Sequence, residues 1–495
     1  MNPVNSIYSV YAEILSFSYS IIQLFKIIMK YIKIEQLPGL MVILFLLSSC
    51  SLTKKYHSPA MDPTGLFRGE NPMDTTTMAH IPWRSFFTDP DLQNLIEEGL
   101  EANFDIRIAY TQIQQAEANL RITRSAYFPT VALAGQVTHT RISNGQRGKD
   151  VFGYHTTDYS LGIVSTWEAD IWGKLNRQNR AQYAQFLNSQ TYRDLIKTSL
   201  IANITTTYYS LLALDEQLQI TRETVRLLNE STETMQAMME QGMLNAAAVE
   251  QSKALYYSTL VTIPNLESSI RQTENALSTL IGRKPGPIDR SSLLNQQIDS
   301  SMHHGIPMQM LSYRPDVRQA ELSFRSAFEL TQAARAAFYP SITLGTGSMI
   351  GYSATTLSSF FKPENLLAHI IGGITQPIFM QGKLKGNLKI AKAQQEEALL
   401  TYEKIVLSAG QEVSDILFSF QSSLSKNETR SKQLEALETS VYFTQELLKA
   451  GEANYTEVLT AQQNLLSAQL NQVSDKLEQL QYSVNLYKAL GGGIK

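Results

Sequence analysis

Hydrophobic positions along this chain follow two different periods. Val131, Leu133 and Gly135 alternate with Ala132, Ala134 and Gln136, while Tyr159, Leu161, Ile163, Ser165 and Trp167 share one side of a second alternating stretch. Residues 341–351 and 367–379 read the same way, so period 2 predicts two β-hairpins. Their connections, residues 141–157 and 352–366, carry Gly, Asn, Ser, Thr, Pro and Lys, the chemistry of exposed loops. Elsewhere the period is helical. Tyr402, Val406, Ala409, Val413, Ile416 and Phe420 step by fours and threes, as do Leu466, Leu470, Val473, Leu477, Leu480, Val484 and Tyr487. That is the 3.5-residue seam of a coiled coil.

Residues 91–125 and 315–336 each predict a helix that runs into an aromatic pair before a proline, and proline biases its predecessor towards extended backbone. No proline occurs between Pro129 and Pro264, nor after Pro377. Residues 173–240 therefore predict one helix roughly 100 Å long at 1.5 Å per residue. The chain can reverse at Gly242 and Gly451, each followed three residues on by an asparagine, Asn245 and Asn454. Pro264 is expected to kink the first returning helix.

The two halves share a plan. Placing Asp105-Ile106-Arg107 over Asp316-Val317-Arg318 (316 − 105 = 211) also aligns Ala109 with Ala320, Arg124 with Arg335 and Pro129 with Pro340. Further on the offset shortens (382 − 173 = 209): Gly173-Lys174-Leu175 meets Gly382-Lys383-Leu384, Gly242 meets Gly451, and Gly282 meets Gly491. So long a period means a duplicated unit of domain size, not a solenoid. The expected division is a signal segment (1–49, with Met29 as the start), an N-terminal segment (50–90), a first repeat (91–282), a linker (283–313) and a second repeat (314–495). Within the repeats the hairpins fall at about 127–171 and 338–380, and the long helix pairs at about 173–282 and 382–490.

Composition narrows the function classes. Forty-two Lys and Arg against 45 Asp and Glu leave a net charge of −3, which opposes nucleic-acid binding. Charged residues are only 18 % and hydrophobic ones 43 %, so a large core can be buried. A single cysteine excludes a disulfide within the chain and a cysteine-rich metal site. Lys30 and Lys33, the apolar run from Leu40 to Leu47 and the small Ser48-Ser49 read as a secretion signal, too short for the roughly 20 residues of a membrane span. Leu47-Ser48-Ser49-Cys50 resembles the bacterial lipobox, which implies a diacylated Cys50 as the mature N-terminus. Ser51, where an aspartate would resemble an inner-membrane retention signal, favours the outer membrane.

Two hairpins leave two open sheet edges, which lipid does not tolerate, and a closed spanning barrel needs about eight strands or more. Copies must therefore join: two would supply eight strands, three twelve. Leu133, Leu161, Ile163, Trp167 and Ile342 suit an outward face, and Tyr127, Phe128, Trp172, Phe338, Tyr339 and Phe379 gather at strand ends, where an interfacial girdle would lie. Trp83-Arg84-x-Phe86-Phe87-x-Asp89-Pro90-x-Leu92-x-x-Leu95-Ile96 resembles the mature N-terminal pattern of TolC-like outer-membrane efflux lipoproteins of the NodT/OprM type. Gly305-Ile306-Pro307-x-x-x-Leu311-x-x-Arg314-Pro315-Asp316-Val317-Arg318-x-Ala320-Glu321 is similar to that family's most recognisable stretch. Trp167-Glu168-x-Asp170-x-Trp172-Gly173-Lys174 and Ala489-Leu490-Gly491-Gly492-Gly493 match as well.

The resemblance runs from about Cys50 to the end and implies a mainly α fold with a β-barrel. Three chains with four strands each would form a twelve-stranded outer-membrane barrel, continued through the periplasm by a long α-helical coiled-coil barrel. The linker 283–313, with the N- and C-terminal stretches, would girdle the helices. The implied function is a passive exit duct for small molecules such as drugs. A periplasmic adaptor and an inner-membrane RND-type pump are the implied partners, and the pump holds most of the selectivity. A periplasmic adaptor and a structural coiled-coil lipoprotein are the rival readings; the duplication and the two strand pairs oppose the first, and the second has no use for the lipobox and the aromatic-flanked strands.

The hairpin tips Gly242-Met243-Leu244 and Gly451-Glu452 are expected at the periplasmic end, where they reverse the helices and dock on the adaptor. Beyond them related ducts close through acidic residues and an arginine. Here Glu457 holds one acidic position, the second is Thr460, the arginine position is Ala453 and the first half's acidic position is Ala248. A Glu457 ring with Tyr455, Thr460 and Leu459 is the expected gate. Met235, Met238, Met239 and Met243 recur near one tip; thioethers suit Cu(I), but without His or Cys beside them they read as seam packing. No nucleophile, paired-carboxylate or metal motif stands out, so neither catalysis nor a cofactor beyond the Cys50 lipid is expected.

Overall fold

The computed structural model describes residues 54–59, 81–141, 155–297, 313–346 and 349–493. The chain divides into two units, Met1–Lys55 and Tyr56–Lys495. The signal segment and Cys50 lie outside the described residues, and the second unit carries the architecture below.

After the short α1 (Trp83–Phe86), the helix expected over 91–125 is two helices, α2 (Pro90–Ala102) and α3 (Phe104–Ser125). The break is at Asn103, whose backbone is extended and whose side chain caps α3 by accepting from the amides of Asp105 and Ile106. A buried asparagine that satisfies two helix-terminal N–H groups stabilises the interruption. Its amide also donates to the carbonyl of Leu280 at 2.8 Å.

The first hairpin is β1 (Thr130–Arg141) with β2 (His155–Ala169); residues 142–154 of the expected loop lie outside the described residues. Then come α4 (Lys174–Glu240) and a returning helix in two parts, α5 (Ala246–Leu260) and α6 (Thr262–Leu280). They meet at Val261, three residues before Pro264, which cannot donate back along the helix. The linker is not wholly irregular: Leu293–Asn295 forms a 3₁₀ turn. The second repeat supplies α7 (Pro315–Ala336), four short strands, α8 (Lys383–Lys449) and α9 (Tyr455–Ala489). Both α4 and α8 are 67 residues long.

The strands expected over 341–351 and 367–379 are each broken, giving β3 (Ser341–Gly345), β4 (Ile350–Ala354), β5 (Leu366–Ala368) and β6 (Ile371–Thr375). The cause is register. β2 pairs Thr166 with Gly345 but Ile163 with Ile350, so the strand pair β3–β4 holds two residues more than β2 opposite it. Such an insertion is a bulge. β5 and β6 also stop short of the expected strand end, at Thr375 instead of Phe379. All the strands form one antiparallel sheet, with β1 on β2, β2 on β3 and β4, β6 on β3 and β5 on β4.

The helices keep the same order as the strands they lead into: α3 packs on α4, α4 on α7, and α7 on α8. Away from the sheet, α5 and α6 pack on α4, and α9 packs on both α8 and α4. The largest core gathers Trp83, Phe87, Leu92 and Ile96 from the N-terminal stretch, Ile204, Tyr208, Leu211 and Leu212 from α4, Ile288 and Leu293 from the linker, and Val484 and Tyr487 from α9. Sealing the middle of the helices with both ends of the chain buries apolar surface worth about 1.5–3 kcal/mol per large side chain.

Candidate functional site

The register divides the sheet into two chemically distinct faces. Val131, Leu133 and Val137 of β1 lie on the same side as Leu161, Ile163 and Trp167 of β2, Ile342 and Leu344 of β3 and Ile374 of β6. The opposite side carries Thr130, Gln136, Thr138, Thr140, Thr156, Asp158, Ser160 and Thr343. In the single chain the apolar face is bare, with Leu133 74 % and Ile374 73 % exposed. Gly162 and Gly351 face each other, and a Cβ on Gly351 would sit 2.2 Å from the carbonyl oxygen of Leu161. Only glycine allows the strands to approach so closely.

Aromatics mark one end of this face. The Trp167 indole donates to the carbonyl of Tyr127 at 2.8 Å, and the Trp172 indole to that of Pro340 at 2.6 Å while its ring lies 5.2 Å from Tyr339. Phe128, just before β1, and Phe379, just after β6, are exposed. The strand-end aromatics expected from the sequence therefore form a rim where the sheet turns into helices.

Halfway along the helices is a hub that no local pattern in the sequence announced. Asp89 is buried; one oxygen caps α2 through the amides of Asp91 and Leu92, and the other accepts from Tyr208, Ser291 and Gln296. Burial opposes ionisation, yet hydrogen bonds from Ser291, Tyr208, Gln296 and the Asp91 amide outweigh it and hold the carboxyl below its usual range. Arg290 adds ion pairs to Asp215 and Glu274. A depressed carboxylate stabilises the fold above its unfolded pKa near 4, and that contribution is lost as pH falls through the folded value. We expect wild type to lose thermal stability on acidification below about pH 4, and Asp89→Asn to start lower and lose less over the same interval. Parallel acid curves in a detergent unfolding assay would count against this role for Asp89.

Arg314 of the linker motif pairs with Asp316 at 2.8 Å and Glu412 at 2.6 Å, and donates to the carbonyl of Ala489 at 3.0 Å. Its place in the repeat is that of Asn103, and Ala489 corresponds to Leu280. Both side chains close the C-terminus of a returning helix, one with a guanidinium and one with an amide.

At the tips, Gly242 and Gly451 both have φ +75°. Met243 N–H reaches the carbonyl of Met238, and Glu452 N–H that of Leu447, each at 2.9 Å. This left-handed termination suits glycine. Asn245 and Asn454 cap the returning helices. Leu244 and Tyr455 pack against a core of Met235, Val249, Leu448, Val458 and Leu459, joined by Met238 and Met239. Met243 stands apart, 63 % exposed. Of the expected gate residues, Tyr455 and Leu459 turn towards this core, while Glu457 and Thr460 are exposed on the other side of the helix. Among the described residues no cluster of three or more His, Cys, Asp or Glu could hold a metal ion.

The margins of the wall are uncovered. Ala181, Thr191, Thr198 and Tyr209 of α4 are all buried; their repeat counterparts on α8, Ile390, Leu400, Leu407 and Phe418, are 57, 58, 60 and 74 % exposed. Likewise Ala333 of α7 is 6 % exposed and its counterpart on α3, Ile122, 65 %. In the sheet, β1 and the β5–β6 side are the outer strands. The open edges of both layers thus fall on α3–β1 and α8–β6. Among the described residues no helix is long and apolar enough to cross a membrane.

A family model for outer membrane efflux protein matches the chain twice, at residues 95–283 and 306–492, whose starts and ends differ by the two offsets of the repeat. A probable outer membrane lipoprotein, SilC of Salmonella typhimurium, is 30 % identical over 456 residues, covering 91 % of this chain and 97 % of that protein. The toluene efflux pump outer membrane protein TtgC of Pseudomonas putida is 31 % identical over 484 residues, 93 % of this chain and 96 % of TtgC. The open state of the Neisseria gonorrhoeae MtrE outer membrane channel superposes with a TM-score of 0.80 at 26 % identity, covering 90 % of this chain and 99 % of that one.

Proposed function

This chain belongs to the outer membrane efflux protein family, and we propose that three copies close head to tail into one passive export duct. The observation that carries the reading is the mismatch between equivalent faces. Within one chain α4 meets α7, and β2 meets β3; by the repeat, the same contacts one step on are α8 with α3, and β6 with β1, of the next copy. The side chains waiting there are apolar and exposed on both partners. A contact between two different faces generates a ring if the rotation closes. Three copies carry four strand paths each, and a twelve-stranded closed sheet has no edge left to satisfy in lipid.

In that ring the apolar face meets hydrocarbon and the Thr, Ser and Gln face lines water. The rim of Trp167, Trp172 and Tyr339 lies at the membrane boundary, and the helices descend through the periplasm. Cys50 carries the lipid, and within the second unit Tyr56 packs on α7 against Phe324 and Phe328 while Ser58 donates to Glu321 at 2.6 Å. The linker, with the N-terminal stretch and the end of α9, forms the girdle whose hub is Asp89. Gly242, Met243, Leu244, Gly451 and Glu452 dock on a periplasmic adaptor, which couples the duct to an inner-membrane pump. Relatives named for toluene efflux and for cation efflux fit a wall that selects weakly and leaves choice to the pump.

The gate is a ring of three Glu457 carboxylates near the tips. Purified protein in planar bilayers is expected to conduct as a trimer, with a preference for cations that a ring of carboxylates imposes. The same trimer carrying Glu457→Gln is expected to lose that preference. A detergent-free, soluble monomer would refute the duct, and an undiminished cation preference in Glu457→Gln would refute the gate alone.

A further inference from the structure

The apolar face ends in a basic patch on the side away from the aromatic rim. Residues of β1 and β2 that share this face run Val131, Leu133, Val137 and Tyr159, then change to His139 opposite Thr157 and Arg141 opposite His155. The two imidazoles stack with centroids 5.4 Å apart and planes 16° from parallel, and His139 Nδ1 lies 2.9 Å from the Thr157 hydroxyl. In the tautomer in which Thr157 donates to Nδ1, the proton sits on Nε2. Thr140, Thr156 and Asp158, at the same height, belong to the opposite face.

Height decides what such a patch meets. From Trp167 at the rim, Thr157 and His155 are ten and twelve residues away along β2 (167 − 157 = 10; 167 − 155 = 12). At ~3.4 Å per residue and a strand tilt of ~40°, they stand about 26 and 31 Å above the rim, at the far boundary of an apolar band ~25 Å tall. A guanidinium on the lipid side is costly at the midplane and cheap at this level. What fills the level is the headgroup layer of the outer leaflet. Arg141 stands opposite His155 in the register, beside the stacked rings, and an arginine there suits a phosphate, which its guanidinium binds with two parallel hydrogen bonds.

We propose that Arg141, His139 and His155 form a binding site for the phosphate-bearing headgroup of an outer-leaflet glycolipid, one site per copy on the outside of the barrel. The proposal rests on the barrel reading, since only closure turns this face to lipid.

The test uses the full lipoprotein in dodecyl maltoside, titrated with a fluorescent amphiphile built on a bis-phosphorylated glucosamine disaccharide and with its phosphate-free counterpart. Wild type is expected to bind the phosphorylated form about tenfold more tightly than the other. The triple variant His139→Gln, His155→Gln, Arg141→Gln is expected to lose that preference. Thr140→Ala with Thr156→Ala, on the opposite face at the same height, is expected to keep it. Equal binding of the two amphiphiles by wild type, an undiminished preference in the triple variant, or full competition by an equal concentration of inorganic phosphate would each overturn the proposal. Conductance recorded on the same preparations separates this failure from failure of the barrel. A triple variant that still conducts but has lost the preference is folded and supports the site; a wild type that never conducts refutes the barrel itself.

Discussion

Glu329→Ala is expected to cost about 3–5 kcal/mol, because it strips the carboxylate from a buried guanidinium. Arg177 sits in the first turns of α4 and Glu329 in α7, 2.7 Å apart, with side chains only 8 and 2 % exposed. The pair therefore ties the first repeat to the second just beneath the sheet. Its repeat counterparts are Gly386 and Ala118, which carry no charge at all, so the pair is specific to the seam inside one chain. That asymmetry argues that the ion pair selects which seam forms within the chain, and that stability alone does not require it. The control is Arg177→Met with Glu329→Leu: filling the same space with apolar side chains is expected to be neutral or stabilising. The measurement is thermal unfolding of the detergent-solubilised protein, where Glu329→Ala should melt several degrees earlier and the double variant should not. A double variant as damaged as the single one would mean that shape, and not charge, holds α4 on α7.

Much of this architecture is legible before any coordinates. The two offsets of the repeat, 211 for Pro129 on Pro340 and 209 for Thr166 on Thr375, reappear as register: Thr130 faces Thr166, and Ser341 faces Thr375. Glycines read as reversal points terminate helices as expected, because a positive φ has a local residue signature. Three features escaped for physical reasons. The break at Asn103 depends on a capping side chain whose other partner, Leu280, is 177 residues away; yet the repeat held the clue, since Asn103 aligns with the Arg314 that precedes α7. The bulge between β3 and β4 shows only as a mismatch with β2, and period 2 within a single strand cannot register it. The Asp89 hub joins residues 119 and 202 positions apart. Polar networks of that span have no periodicity. The expected gate divided for a simpler reason: Tyr455 and Leu459 share a helix face with Val458, whereas Glu457 and Thr460 do not.

Cysteines at Thr375 and Ala134 are expected to join neighbouring copies covalently into a ring. The contact inside one chain supplies the register: Thr166 of β2 faces Gly345 of β3. Moving one step along the repeat turns Thr166 into Thr375 of β6 and Gly345 into Ala134 of β1 on the next copy. Both positions lie on the polar face, so an oxidant in the lumen can reach them. Directly opposed residues hold their Cβ atoms about 4.5–5.5 Å apart, close to what a disulfide spans. Mild oxidation of the double variant should convert the monomer band on a denaturing gel predominantly into a trimer band, whereas each single cysteine should stay monomeric. Cys50, the only natural cysteine, serves as the background control. The helical half of the seam is tested separately by Leu407→Asp with Phe418→Asp. Each of these side chains is more than half exposed in the lone chain, and burying it against the next copy is worth about 1.5–3 kcal/mol. The charged pair should therefore release monomers in detergent and abolish conductance in bilayers while leaving the helix content of each chain unchanged. If instead the cysteine pair cross-links only within single chains, or the aspartate variant remains a conducting trimer, then repeat equivalence does not describe how copies meet, and the ring closes through other surfaces.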